Sequence, residues 1–217
     1  TLEAAKQVED LASRLKVLAS GQDKAGEFYR HFHYALFSYI SNRVPEISDE
    51  IYRVDDAMMA GFGWEIGAFE SWDALGVAAS VKAMKTGGYQ VAPWVEKMLA
   101  SGCNSFYKVE NGKRLYYDVS TSAYKVLPGG DAFIVMKNYE NQTVWKNSAC
   151  RTYHLGDDVL GLEWYTKMGS IGGEVLEGIQ KSISLAEEKY KGLVIANPGQ
   201  NFSAGANVAM IFMLAIE

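Results

Sequence analysis

Through the first hundred positions, apolar residues recur at three- and four-residue steps, the spacing of amphipathic helices. Leu2, Ala5, Val8, Leu11, Leu15 and Leu18 predict a helix over 1–20, broken by Gly21-Gln-Asp-Lys24. A second, about 25–43, sets Phe28, Phe32, Ala35, Leu36, Tyr39 and Ile40 on one face, and Pro45 is expected to end it. Ser48, with Glu50 near, reads as the N-cap of a third helix over 49–60. A glycine-punctuated segment, Gly61 to Gly76, reads as a tight turn between helices, followed by two short helices near 77–86 and 92–101. No alternating strand is evident before Asp118, so this half is expected to be all-α.

From about 115 to 155 the pattern changes. Leu115–Val119, Ala132–Met136 and Cys150–His154 read as short strands between Pro128-Gly-Gly130 and polar stretches. Val159–Tyr165 is extended, 174–190 is a helix with Val175, Leu176, Ile179, Ile183 and Ala186 inward, and Leu193–Asn197 is a strand covered on both faces. Together these predict one right-handed βαβ unit. The apolar run Val208–Ile216 is too short to span a bilayer, which needs about 20 residues. Its covering partner is expected to lie outside the chain, which is read as an interior piece of a larger protein.

Composition narrows the function. Nearly half the residues are apolar (48%), enough for a sizeable core. The net charge is −5 and no Lys/Arg block occurs, so nucleic-acid binding has no electrostatic basis. Cys103 and Cys150 lack metal-type spacing and suit a reducing cytoplasm; no signal peptide opens the chain. No metal site is expected. His31 and His33 point about 200° apart on a helix and cannot share an ion. Asp55-Asp56 reads as a solvated helix face, and the aromatics of 28–39 and 62–72 read as core.

Gly61-x-Gly63-x-x-x-Gly67 misses the dinucleotide fingerprint by one residue and follows a helix where a strand is required. The segment nevertheless carries a resemblance. Val54-Asp-Asp-Ala-Met58, then Gly61-Phe-Gly-Trp-Glu-Ile-Gly-Ala-Phe69 and Asp73-Ala-Leu-Gly76, resembles the helical C-terminal domain of 3-hydroxyacyl-CoA dehydrogenases, with Ala68 where that family has proline. Trp94–Gly102, Ser105–Tyr107 and Asn111–Tyr117 resemble, more narrowly, the long bacterial dehydrogenases that end in a crotonase domain.

The second string is Gly192-Leu-Val-Ile-Ala-Asn-Pro-Gly-Gln-Asn-Phe-Ser-Ala-Gly-Ala-Asn-Val208: a buried strand, a polar turn, then small residues opening a helix at about 206. Peptide N–H groups at a helix start are unpaired, and small side chains let an acyl oxygen approach them. On that evidence alone, plain strand-to-helix packing is the favoured account. The whole string resembles the crotonase signature of enoyl-CoA hydratases and isomerases, with Asn207 where Asp is common. The resemblance implies that the Ala206 N–H is one of two oxyanion donors, and that the Ser203 and Ala204 peptides line the adenine end of a coenzyme A site.

The expected fold is therefore mixed: an all-α dehydrogenase C-terminal domain over 1–118, a linker with short strands over 119–148, and a partial α/β crotonase-type ββα unit over 149–217. The resemblance implies a parent enzyme of fatty-acid β-oxidation that oxidises 3-hydroxyacyl-CoA with NAD and hydrates or isomerises enoyl-CoA. NAD would sit in an upstream Rossmann domain, and the remaining catalytic groups in the rest of the crotonase domain. The helical domain would give dimer or interdomain contacts. Competing readings are a non-enzymatic helical interaction module and a crotonase-type CoA-binding protein with another reaction.

Overall fold

The first predicted helix is two, α1 (Leu2–Lys6) and α2 (Leu11–Ser20), because the Asp10 carboxylate accepts from the Ser13 N–H at 2.8 Å and so opens a new helix. The computed structural model describes residues 1–8, 10–130, 133–197, 201–208 and 211–212. These mixed helices and sheets form two units, Thr1–Lys108 with Arg114–Leu127, and Val109–Lys113 with Pro128–Glu217.

In the first unit, α3 (Lys24–Ile47) continues past Pro45, which was expected to end it. Proline lacks the N–H that would bond the carbonyl four residues back. That carbonyl, on the fully buried Ser41, instead accepts from the Trp94 indole Nε1 at 2.8 Å. Trp94→Phe should therefore leave a buried acceptor unmet and cost about 1–3 kcal/mol. Pro45→Ala returns a donor within the helix, so the indole should matter less in that background. Chemical denaturation of the two single variants and the double variant measures the difference.

The inward face of α3 is also rotated from the expected one. His33, Phe37, Ile40, Ser41 and Val44 are buried, whereas Phe28 is 71% and Tyr39 62% exposed. Apolar character misassigned the face, since polar His33 and Ser41 are core and the aromatics Phe28, Phe32 and Tyr39 are not.

Glu50, not Ser48, precedes α4 (Ile51–Phe62); the Ser48 hydroxyl instead meets the Glu50 N–H. Gly63 closes α4 in the left-handed region, at φ 66°. The glycine segment then holds a helix of its own, α5 (Ala68–Leu75), followed by α6 (Val77–Thr86) and α7 (Pro93–Ala100) as anticipated.

Asp55, expected on a solvated face, is 2% exposed and spans two helices. From α4 it accepts from the N–H groups of Phe69 (2.8 Å) and Glu70 (3.1 Å), capping α5, and from the Tyr107 hydroxyl (2.9 Å). Asp73 likewise holds the Phe106 and Tyr107 N–H groups at 2.7 and 2.8 Å. Burial outweighs these donors and pushes Asp55 up to about 6 and Asp73 up to about 7. Around them Phe37 and Trp72 stack at 4.6 Å, and Phe69 and Phe106 meet edge-on at 5.0 Å, forming the core.

The expectation of no strand before Asp118 is corrected by β1 (Tyr107–Glu110) and β2 (Lys113–Asp118), which with β3 (Ala123–Val126) form a three-stranded sheet in the order β1-β2-β3. The Leu115–Val119 expectation thus lands on β2.

The second unit holds a sheet in the order β4-β5-β6-β7: Thr143–Lys146, Cys150–Gly156, Val159–Trp164 and Gly192–Ile195. The strand expected over Ala132–Met136 is not formed: residues 133–135 are irregular and Met136–Gln142 is a 3-10 turn, while Ala132 lies outside the described residues. β6 and β7 run parallel, joined through α8 (Gly173–Lys189), which gives the predicted βαβ connection.

The inward face of α8 is narrower than expected. Val175, Gly178 and Ser182 are buried, but Leu176 and Ile183 are 49% and 43% exposed. Gly178 permits this contact, since a Cβ there would stand 2.0 Å from the Cys150 Sγ on β5. Among the described residues β7 pairs only with β6, and Val194 and Ile195 are exposed where cover on both faces was expected.

Candidate functional site

After β7 the chain turns back over the segment that links β6 to α8. Trp164, buried at the end of β6, donates its Nε1 to the Gly169 carbonyl at 3.1 Å, and the Ser203 hydroxyl donates to the same oxygen at 2.8 Å. Asn197 Nδ2 holds the Phe202 carbonyl at 2.7 Å, and the Phe202 ring meets Trp164 edge-on at 5.2 Å. Ile171 and Ala206 then form an isolated parallel bridge: Ile171 N–H donates to Gly205 O, and Asn207 N–H to Ile171 O, both at 2.9 Å. Gly205 has φ +93°, a conformation that L side chains rarely adopt, and this lets the chain present Ala206.

The three residues singled out in the sequence thus fall in one short turn, Ser203 half-buried, Ala204 and Ala206 exposed. Their peptides are not equivalent. Ala204 N–H donates to Met168 O at 3.1 Å, Gly205 N–H to Ser203 Oγ at 2.9 Å, and Asn207 N–H to Ile171 O. Between those committed neighbours, the Ala206 N–H has no hydrogen-bond partner among the described residues. A single open N–H can stabilise a developing oxyanion, and the adjacent Gly205 and Asn207 peptides have no second one to add. The partner loop, Lys167 to Gly172 with Met168 at φ 58°, was missed in the sequence; its one legible signal is the glycine pattern Gly169-Ser-Ile-Gly-Gly173.

Val208, Ile211 and Phe212 are helical, close to the expected helix start, and are exposed. Pro198 to Gln200, and within the apolar run 209–210 and 213–216, lie outside the described residues, as does Glu217.

The other candidates have structural surroundings. His31 meets the Tyr89 hydroxyl at 2.6 Å, and the His154 ring lies 5.6 Å from that of Tyr190. Among the described residues no three His, Cys, Asp or Glu side chains gather as a metal site would require. The glycine segment does not fit a dinucleotide: Gly61 lies within α4 and Gly63 closes that helix, so no strand delivers a phosphate-cradling turn. No described helix is long and apolar enough to cross a membrane.

Comparison with known proteins gives a consistent answer over nearly the whole chain. A Bacillus subtilis (strain 168) protein named 3-hydroxyacyl-CoA dehydrogenase is 37% identical over 214 residues, 98% of this chain and 27% of its own length. A Rickettsia prowazekii (strain Madrid E) protein named fatty acid oxidation complex trifunctional enzyme is 25% identical over 208 residues, 95% of this chain and 26% of its own length. A Rickettsia felis (strain ATCC VR-1525 / URRWXCal2) protein of the same name is 24% identical over 187 residues, 86% of this chain and 23% of its own length. No family model and no solved structure matches. The chain thus spans about a quarter of the length of the curated relatives it matches. It is a homologue of one segment of proteins named 3-hydroxyacyl-CoA dehydrogenase and fatty acid oxidation complex trifunctional enzyme.

Proposed function

We propose that this chain serves a cytoplasmic fatty-acid β-oxidation enzyme that oxidises 3-hydroxyacyl-CoA with NAD and hydrates or isomerises enoyl-CoA. In this reading the first unit is the helical C-terminal domain of the dehydrogenase, and the second opens the crotonase-type domain. The observation that carries it is the open Ala206 N–H, flanked by committed peptides within the Phe202-Ser-Ala-Gly-Ala206 string.

A coenzyme A thioester is the substrate. Its carbonyl oxygen gains charge as the α-proton leaves or as water adds, and an N–H fixed before the reaction stabilises that charge without reorganising. Ala206 supplies one donor. The second donor and the acid–base carboxylates belong to the rest of the crotonase domain, and NAD to an upstream Rossmann domain. The Ser203 and Ala204 turn, tied to Gly169 and Met168, would hold the adenine end of coenzyme A.

The chain by itself should therefore be catalytically silent, and NADH production from a 3-hydroxyacyl-CoA by the isolated protein would contradict the reading. In the whole enzyme, Ala206→Pro removes the N–H. It should lower enoyl-CoA turnover about 10²–10³-fold with little change in KM, as loss of one oxyanion donor does. NAD-linked oxidation should persist in the same preparation. Unchanged enoyl-CoA turnover would remove Ala206 from the site.

A further inference from the structure

Within the first unit, α2, α3 and the turn between α4 and α5 border an open-mouthed cavity of about 360 Å³ whose walls include Leu15, Tyr29, Phe32, Trp64 and Ile66. That volume falls at the small end of ligand cavities, about 300–1,000 Å³. Its floor is buried and its rim open: Leu15 and His33 are 6% and 5% exposed, Phe32 is 44% exposed. At the rim the Phe32 and Trp64 rings meet edge-on at 6.4 Å, and Trp64 continues to the exposed Phe62 at 5.8 Å.

His33 makes the cavity more than an apolar hollow. Its Nδ1 contacts the Tyr29 carbonyl at 2.9 Å, which takes a donor, so the proton sits on Nδ1. Burial lowers the pKa of the ring, which keeps it neutral. Nε2 is then a bare acceptor. It has no hydrogen-bond partner among the described residues, and this nearly buried ring lines the cavity. The other polar floor group, the Ser71 hydroxyl, is committed to the Gly67 carbonyl at 2.8 Å. Glu65 stands exposed among the lining residues and disfavours anions.

We propose that this cavity is a binding site for a small, uncharged, planar aromatic molecule carrying one N–H or O–H donor, held between the Phe32, Trp64 and Tyr29 rings with its donor on His33 Nε2. The site lies outside the 203–206 turn and does not depend on the reading of that turn.

Indole and N-methylindole separate the donor from the apolar body, because methylation removes the N–H and adds apolar surface. Titration calorimetry on the wild-type chain should show indole binding about three- to tenfold tighter, the value of one neutral hydrogen bond. A purely apolar cavity would favour N-methylindole. Phe32→Ala, at a half-open rim position, should weaken both probes, and His33→Phe should abolish the preference for indole. If His33→Phe fails to fold, the probe pair on the wild-type protein still decides. Equal binding, a preference for N-methylindole, or no binding of either at millimolar concentration would overturn the proposal. So would concentration-dependent self-association that Phe32→Ala removes, since the rim would then be covered by a second copy.

Discussion

Gly67→Ala should destabilise the first unit by about 3 kcal/mol or more, at the upper end of what overpacking costs. A Cβ at Gly67 would stand 2.2 Å from both Cβ and Cγ of Asp55, inside any real contact distance. Side chains usually relieve such a clash by turning away, but Asp55 is held by the Phe69 and Glu70 N–H groups and by the Tyr107 hydroxyl. Moving it would strip the cap from α5 and leave a buried carboxylate short of donors, so clash and lost hydrogen bonds add. Gly61→Ala is the internal control. Gly61 lies within α4 with nothing within 4 Å of a new Cβ, so alanine should gain about 0.5–1 kcal/mol through helix propensity. Denaturation of both variants should give opposite signs from glycines six residues apart; a neutral Gly67→Ala would show that the α4–α5 contact is loose.

The second large effect is expected in the other unit. Gly178→Ala would put a Cβ 2.0 Å from the Cys150 Sγ and should cost about 3 kcal/mol. Here the obstruction is the far end of a side chain, so it can be removed. In Gly178→Ala with Cys150→Ala, the nearest atoms become Trp145 Cζ3 at 3.3 Å and the Cβ of residue 150 at 3.5 Å, tight but tolerable. The double variant should be more stable than Gly178→Ala alone, although Cys150→Ala by itself removes a fully buried thiol and destabilises. The cycle should return about 2 kcal/mol of coupling, and additive losses would mean that α8 does not rest on β5 at this point. Hydrogen exchange resolved along the chain would place each loss in its own unit.

Helices bounded by Gly or Pro were the most legible part of the sequence. The extents of α6, α7 and α8 agree with the expected ones to within a residue or two. Strands β1, β3 and β4 were not legible: each has four residues, mostly exposed or half-buried, which is too few for alternation to stand out. Burial of polar groups was also hidden. Asp55 beside Asp56 looks solvated because periodicity cannot reveal that another helix presents its N-terminus there, and His33 is core for a similar, non-local reason. At the 203–206 turn the string itself was legible. The commitment of the Ala204 and Asn207 peptides depends on a loop more than thirty residues earlier, which also holds the Ser203 hydroxyl at Gly169, a separation of 34.

The proline inside α3 means that this helix is not self-sufficient. One rung of its ladder is supplied by a side chain 53 residues later, so the end of α3 reaches its full complement of bonds only once α7 has docked. Local coil-to-helix ordering and long-range assembly therefore become one event there. The last turns of α3 should gain protection in step with the arrival of α7, and in a nascent chain that has not yet reached Trp94 those turns should fray.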